Sequence, residues 1–434
     1  MTTIYNYLSI VLQRAKNESK HFLFELLVAL VLLTLPLHYR YNSSAIIILA
    51  VFTILNFKKT NFTFQKTLAL PILIYFLMVL SLFWSIDFSV SLKSLSKEIA
   101  LLIIPMLFII KPIQSKIKLQ KIVRYFAYGM FVYTLFYLLK ALIRYAITGD
   151  SSVFFYHELV TIDTNAIYIS VYIAIAFFVL YTKHSKTKVD YLILLQLLIT
   201  LLLLSSKNIC VVFFILLIIN LFLFNKTKLK SNYFFIALSV LLLTTFLFFN
   251  KIKDRFVIEL ESNAAPITLN KEAQQNGLVI YNVSISRAWN ANRFEDFDYF
   301  TGTSLRAYQL RIFIELMNEN KTWLTGFGSN ATDIKIENKQ QQYNLHKGYG
   351  TFNFHNQYIQ IFAEIGVFGL LILFLMLGLN LKKALQNKDF LHFSFAVLMI
   401  SLFLTESFLS RQRGLVFFVL MYCIFNSKTN HNNL

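Results

Sequence analysis

His355 stands in the run Asn353-Phe354-His355-Asn356-Gln357, at the point where a hydrophilic stretch turns into an apolar one. A neutral imidazole where the chain turns into an apolar run can take a proton from a hydroxyl near neutral pH. The competing reading is a hydrogen-bonded interfacial histidine without chemistry. His346, and His157 beside Tyr156 and Glu158, offer the same group in settings with less to recommend them. Cations accompany His355 from distant parts of the chain. They are Lys207 in the turn Ser205-Ser206-Lys207-Asn208, Arg306 and Arg311 in the stretch Ser304 to Met317, and Arg411 and Arg413 beside Glu406.

Guanidinium forks suit a diphosphate better than an ammonium does. Against that, Lys and Arg at the ends of apolar runs snorkel to lipid headgroups. Arg311 and Glu315 also form an i, i+4 pair worth about a few tenths of a kcal/mol. The stretch around the two arginines reads as an amphipathic helix with Leu305, Leu310, Phe313 and Met317 toward protein or lipid, and spacing does not choose between Arg306 and Arg311. Several chemistries lack residues altogether: there is no Walker loop, no HExxH pair, no Cys cluster and no GxSxG elbow. No metal site and no cofactor is therefore expected. Gly326-Phe327-Gly328 is too short a glycine signal for a nucleotide fold and reads as a turn. Cys210 and Cys423, each inside an apolar run, read as small hydrophobes.

The elements that must position these groups follow from composition. The chain is 57% hydrophobic and 15% charged with only 12 Gly and 5 Pro, a composition that soluble, collagen-like and disordered classes fit poorly. Its net charge of +19 does not indicate nucleic acid, because Lys and Arg sit in short clusters between apolar runs rather than along one stripe. About 20 apolar residues make a helical span, and about twelve windows qualify, near 22–38, 44–57, 67–84, 97–112, 122–144, 164–182, 189–205, 208–225, 233–250, 357–379, 391–408 and 413–427. The first is read as a retained span, since no small-residue cleavage site follows it. The expectation is an all-α polytopic membrane protein.

Every second connection is basic, from Arg14-Lys16-Lys20 and Lys58-Lys59-Lys66 to Lys382-Lys383-Lys388, which addresses those loops and both termini to the cytoplasm. The alternate connections behave oppositely: Thr148 to Thr164 carries Asp150, Glu158 and Asp163 and no Lys or Arg, and Ser205 to Asn208 is a tight turn. The long hydrophilic connection Lys251 to Phe354 then lies outside, and its many Tyr, Phe and Trp residues predict a small folded layer with short helices. Three regions result: 1–250 as a bundle of about nine spans, 251–354 as a periplasmic loop, and 355–434 as three further spans.

The order Arg-bearing helix, Gly-x-Gly turn, then His-Asn before an apolar span resembles the module of bacterial O-antigen ligases and Wzy-type polymerases. The stretch Phe354-His355-Asn356-Gln357 through Ala363-Glu364-Ile365-Gly366-Val367-Phe368-Gly369-Leu370-Leu371 carries the most specific part, an E-x-G-x-x-G-L tail behind the histidine. The resemblance implies a metal-independent glycosyltransferase with an undecaprenyl-diphosphate-linked glycan as donor and, in ligases, the lipid A core as acceptor. It implies that His355 activates the acceptor hydroxyl and that Arg306 or Arg311 holds the diphosphate. Where the family has an arginine after a serine at an outer turn, this chain has Lys207, which keeps the charge and loses the bidentate fork. Arg411 is the candidate to compensate.

Within that class, a polymerase joining lipid-linked repeats and an oligosaccharyltransferase acting on protein hydroxyls share the donor. A polysaccharide transporter or flippase is the rival of a different class. It leaves the long outer loop unexplained, and the two halves show no matching broken helices. A structural scaffold is the third class.

Overall fold

The computed structural model describes residues 22–57, 62, 64–113, 115–224, 261–263, 267–270, 279–346, 349 and 353–427. The expected ninth span at 233–250 and the basic runs at 14–20, 58–59 and 226–230 lie outside the described residues. The chain is a helical membrane protein with a separate folded layer at one end.

The bundle contains α1 (Phe22–Leu33), α2 (Tyr39–Leu55), α3 (Lys66–Leu80), α4 (Phe88–Glu98), α5 (Ala100–Ile110), α6 (Lys116–Thr148), α7 (Tyr156–Leu159), α8 (Ala166–Tyr181), α9 (Lys188–Leu203) and α10 (Lys207–Ile219). Four described helices are long and apolar enough to cross a bilayer by themselves: Lys66–Phe83, Lys116–Thr148, Lys207–Phe224 and Gln357–Gln386. α8 is apolar all round and buried from Tyr168 to Leu180, as a helix without a polar face must be. α2 and α6 instead turn side chains such as Ile47, Ile54, Val132 and Phe136 outward to lipid.

The outer layer comprises β1 (Ile267–Leu269), β2 (Tyr281–Val283), α11 (Ile285–Asn290), β3 (Asp298–Phe300), α12 (Gly302–Asn320) and α13 (Asp333–Gln342). β2 is central, antiparallel to β1 and parallel to β3. This small sheet departs from the all-α expectation for the loop. Strands of three residues are too short to show alternation in sequence. α12 starts at Thr301, whose hydroxyl caps Ser304 N, and buries Tyr308, Ile312, Phe313, Leu316 and Met317 in a core shared with Phe294, Phe300, Phe327 and Phe354. Leu310 faces outward, so the buried stripe is turned from the one expected.

The bundle closes with α14 (Gln357–Gln386), α15 (Phe390–Phe403) and α16 (Gln412–Asn426). α16 is buried throughout, from Gly414 to Asn426, and packs on α3 and α5. Apolar burial gives helices no drive to associate in lipid, so close packing and interhelical hydrogen bonds matter. Tyr168 Oη donates to Phe408 O at 3.2 Å and Tyr172 Oη to Arg413 O at 3.0 Å.

Alternate connections gather at the end of the bundle that carries the outer layer. Arg413 donates to Leu37 O and to Asp163 O, Trp84 Nε1 donates to Thr325 O at 2.9 Å, and Asn208 Nδ2 donates to Ser401 O at 2.9 Å.

α14 is not the continuous span the sequence suggests. It breaks at Ile365 (φ −127°, ψ 19°) and Gly366 (φ 73°, ψ −169°). The turn Gly326-Phe327-Gly328 docks on the carbonyls this exposes, Phe327 N donating to Ala363 O at 2.8 Å and Gly328 N to Glu364 O at 2.9 Å. A Cβ on Gly366 would lie 1.9 Å from Leu324 O, and one on Gly326 would lie 2.5 Å from the Glu364 backbone. Gly366 of the E-x-G-x-x-G-L tail and Gly326 of the short turn are thus two halves of one contact.

Candidate functional site

The sequence that carries His355 is built to hold it against the α15–α16 turn. Asn356 caps α14, its Oδ1 accepting from Tyr358 N at 3.0 Å and Ile359 N at 3.1 Å. Its amide Nδ2 donates to Leu404 O at 3.2 Å. Gln357, buried, accepts Leu409 N at 2.7 Å. Two neighbouring side chains therefore staple the start of α14 to residues 404–409. His355 itself has φ +45°, a left-handed conformation uncommon for a residue with a Cβ. Its Nδ1 lies 3.4 Å from Glu406 Oε2.

Glu406 is mostly buried and receives a second partner, Arg306, whose Nη2 lies 3.7 Å from Oε1. Arg306 also donates from Nε at 3.1 Å and Nη2 at 2.9 Å to Thr405 O, and from Nη1 at 2.9 Å to Gly302 O. A guanidinium has five N–H donors, so this leaves donors for a ligand. Lys207 approaches from α10, and the following Asn208 donates to Thr405 Oγ1 at 2.8 Å and accepts Ser401 Oγ at 2.6 Å. The turn at 404–409 is the point where α10, α12, α14 and α15 meet.

A cavity of about 470 Å³ opens beside this turn, lined by Ser206, Lys207, Asn208, Thr301, Thr303, Arg306 and Glu406 among others. The N-terminal ends of two helices, α10 behind Ser206 and α12 behind Thr301, open onto it. Helix N-termini present unpaired N–H groups and partial positive charge, so with Lys207 and Arg306 the cavity suits an anion. Ser206 is buried and makes no cap hydrogen bond. His355 does not line this cavity. It touches the cavity lining through Glu406, and its side chain is 26% exposed.

The other sequence candidates fall elsewhere. Arg311 points away from the cavity: Nε donates to Glu315 Oε1 at 2.8 Å, Nη1 to Ala291 O at 2.7 Å and Nη2 to Tyr343 Oη at 3.0 Å, and the group stacks 4.5 Å over the Tyr343 ring. Its side chain is 11% exposed, against 34% for Arg306. Lys339 completes the cluster with bonds to Glu315 at 3.0 Å and Glu319 at 2.7 Å. Burial pushes the Glu315 carboxyl up, but the bonds from Lys339, Tyr343 and Arg311 outweigh it and hold the pKa below the ordinary 4.5. Arg411 is exposed at the start of α16 and outside the cavity lining; its charge acts on Asp333, whose carboxyl burial raises and Lys97 and Arg411 lower. His157 Nδ1 lies 3.4 Å from Ala166 N, a local contact at the head of α8.

Glu406, Asn208, Asn356 and Gln357 are the residues for which sequence reasoning gave no role. The acid among cations at the last outer turn was the only signal for Glu406. Residues 192–374 match the family model described as O-antigen ligase, a span that includes Lys207, Arg306, Arg311 and His355 and ends before Glu406. The search of curated proteins found no match.

Proposed function

Because residues 192–374 match the family model described as O-antigen ligase, we propose that this protein transfers a glycan from undecaprenyl diphosphate to an acceptor hydroxyl, the lipid A core in lipopolysaccharide biosynthesis. In this reading it resides in the bacterial inner membrane with twelve spans. The outer layer is periplasmic and both termini are cytoplasmic, as the positive-inside alternation requires.

The observation that carries the proposal is the meeting of His355, Glu406, Arg306 and Lys207 around one turn beside an anion-suited cavity. The donor diphosphate occupies the cavity, held by Lys207, Arg306 and the two helix N-termini. Its lipid tail leaves sideways into the bilayer. With Nδ1–H donated to the Glu406 carboxylate, Nε2 is the basic nitrogen of His355. Nε2 takes the acceptor hydroxyl's proton as that oxygen attacks the anomeric carbon, and the bond from this carbon to the diphosphate oxygen breaks. Glu406 stabilises the imidazolium that forms. The charge growing on the leaving diphosphate is met by Arg306 and Lys207, so the step runs without a metal.

The test is the envelope glycan profile of a deletion strain complemented with wild type or His355→Ala, with lipid-linked donor measured alongside. A ligase leaves polymerised donor accumulated and the core unextended in the variant. Accumulation of single-repeat donor indicates a Wzy-type polymerase instead, and loss of glycan from protein indicates an O-oligosaccharyltransferase. An unchanged profile removes His355 from catalysis and favours a transporter.

A further inference from the structure

His355 is held in a backbone conformation that residues with a Cβ avoid, so its surroundings must impose that conformation. The preceding peptide supplies the handle. Phe354, buried against Phe313, donates its N–H to Gln360 Oε1 at 3.3 Å. His355 N donates to Asn353 Oδ1 at 3.0 Å, and Asn353 O accepts Gln309 Nε2 at 2.5 Å.

Gln360 is 2% exposed, and a buried amide can present either its oxygen or its nitrogen to Phe354. Only the oxygen can accept the Phe354 N–H. Glu364, one turn further along α14, decides the orientation: its Oε1 accepts Gln360 Nε2 at 2.6 Å. Glu364 also takes the Asn330 N–H, and its own carbonyl is bound by Gly328 where α14 breaks. A continuous line of hydrogen bonds therefore runs from the broken helix through Glu364 and Gln360 to the peptide ahead of His355.

We propose that Gln360 is a positioning residue for His355, its amide oriented by Glu364, so that the glutamate of the E-x-G-x-x-G-L tail acts on catalysis through hydrogen bonds and not by touching substrate. The inference rests on His355 being the catalytic base. A buried Gln–Glu pair that merely satisfies itself would fill space equally well, and an exchange of the two residues separates these roles.

In Gln360→Glu, two carboxylates face each other and the amide donor is gone. In the double exchange Gln360→Glu with Glu364→Gln, the carboxylate now at position 360 accepts from both Phe354 N and the amide now at position 364, whose oxygen accepts from Asn330 N. The line is restored with its carboxylate and amide interchanged. Steady-state transfer by purified protein in lipid nanodiscs is measured for both, with melting temperature recorded for each. A displaced base costs up to about a hundredfold in rate. Gln360→Glu is expected to lose about tenfold or more in kcat with donor KM within about twofold, and the double exchange to recover to within about threefold of wild type. Where Gln360→Glu does not fold, Gln360→Met, which adds no charge, carries the same expected loss. Wild-type kcat in either single variant, or a double exchange no better than the single, overturns the proposal while His355→Ala remains inactive. An active His355→Ala instead removes the catalytic reading on which it rests.

Discussion

Replacing Arg311 by Ala should loosen the outer layer without slowing transfer. Arg311 makes a hydrogen-bonded ion pair with Glu315 and two further hydrogen bonds, and stacks on Tyr343. Its loss leaves Ala291 O without that donor, while Glu315 keeps Lys339 and the Tyr343 hydroxyl. Because the carboxylate is not left alone, the cost is below that of breaking an isolated buried pair, and about 2–3 kcal/mol is reasonable.

The pH dependence has a definite sign. Glu315 has its folded pKa below 4.5, so its contribution is present above pH 4.5 and is lost as pH falls through the lower folded value. Lys339, raised above 10.5 by Glu319 and Glu315 against the effect of burial, contributes below pH 10.5 and is lost as pH rises through its folded value. Without Arg311, the Glu315 pKa moves back toward 4.5 and acid loosening begins at higher pH. Thermal melting in nanodiscs from about pH 3.5 to about pH 7, with turnover per folded molecule at about 20 °C, measures both effects. Arg311→Ala should melt lower by several degrees and retain turnover to within about twofold. Normal melting with lost turnover would refute this reasoning and return Arg311 to the donor site.

Three further outcomes are expected. Gly366→Ala forces a Cβ against Leu324 O in a conformation open essentially to glycine alone, and undocks the Gly326 turn; about 3 kcal/mol or more of stability should be lost, read as poor folded yield and lower melting. Glu406→Gln removes the carboxylate facing His355 and Arg306 while keeping its shape, so kcat should fall by about a hundredfold or more with melting unchanged. Lys207→Ala should raise the donor KM by about tenfold, and Lys207→Arg should restore it; equal transfer by Lys207→Ala would take this residue out of the site.

Much of the bundle was legible because apolar runs report directly on burial in lipid. The break in α14 was not, because Gly366 is a helix breaker only when Leu324 and Trp323 occupy the groove it opens, with Val367 N donating to Trp323 O at 3.1 Å. Sequence could list Arg306 and Arg311 together, yet five positions on a helix place them about 140° apart. The turn at Thr405 lies on one of those sides and Tyr343 on the other, and only tertiary structure assigns them. Glu406 meets its histidine from 51 positions away, beyond what any local motif encodes. Asn356 and Gln357 were legible as letters of a motif but not as staples, because their partners Leu404 and Leu409 contribute backbone atoms, which leave no trace in residue type.

The decisive measurement is single-turnover glycan transfer from undecaprenyl-diphosphate-linked donor to its acceptor by purified protein, with chelator present, comparing wild type, His355→Ala and Arg306→Ala. The arrangement around Glu406 requires transfer by wild type, undiminished donor binding but no transfer by His355→Ala, and weakened donor binding by Arg306→Ala. Transfer at the wild-type rate by His355→Ala would contradict it.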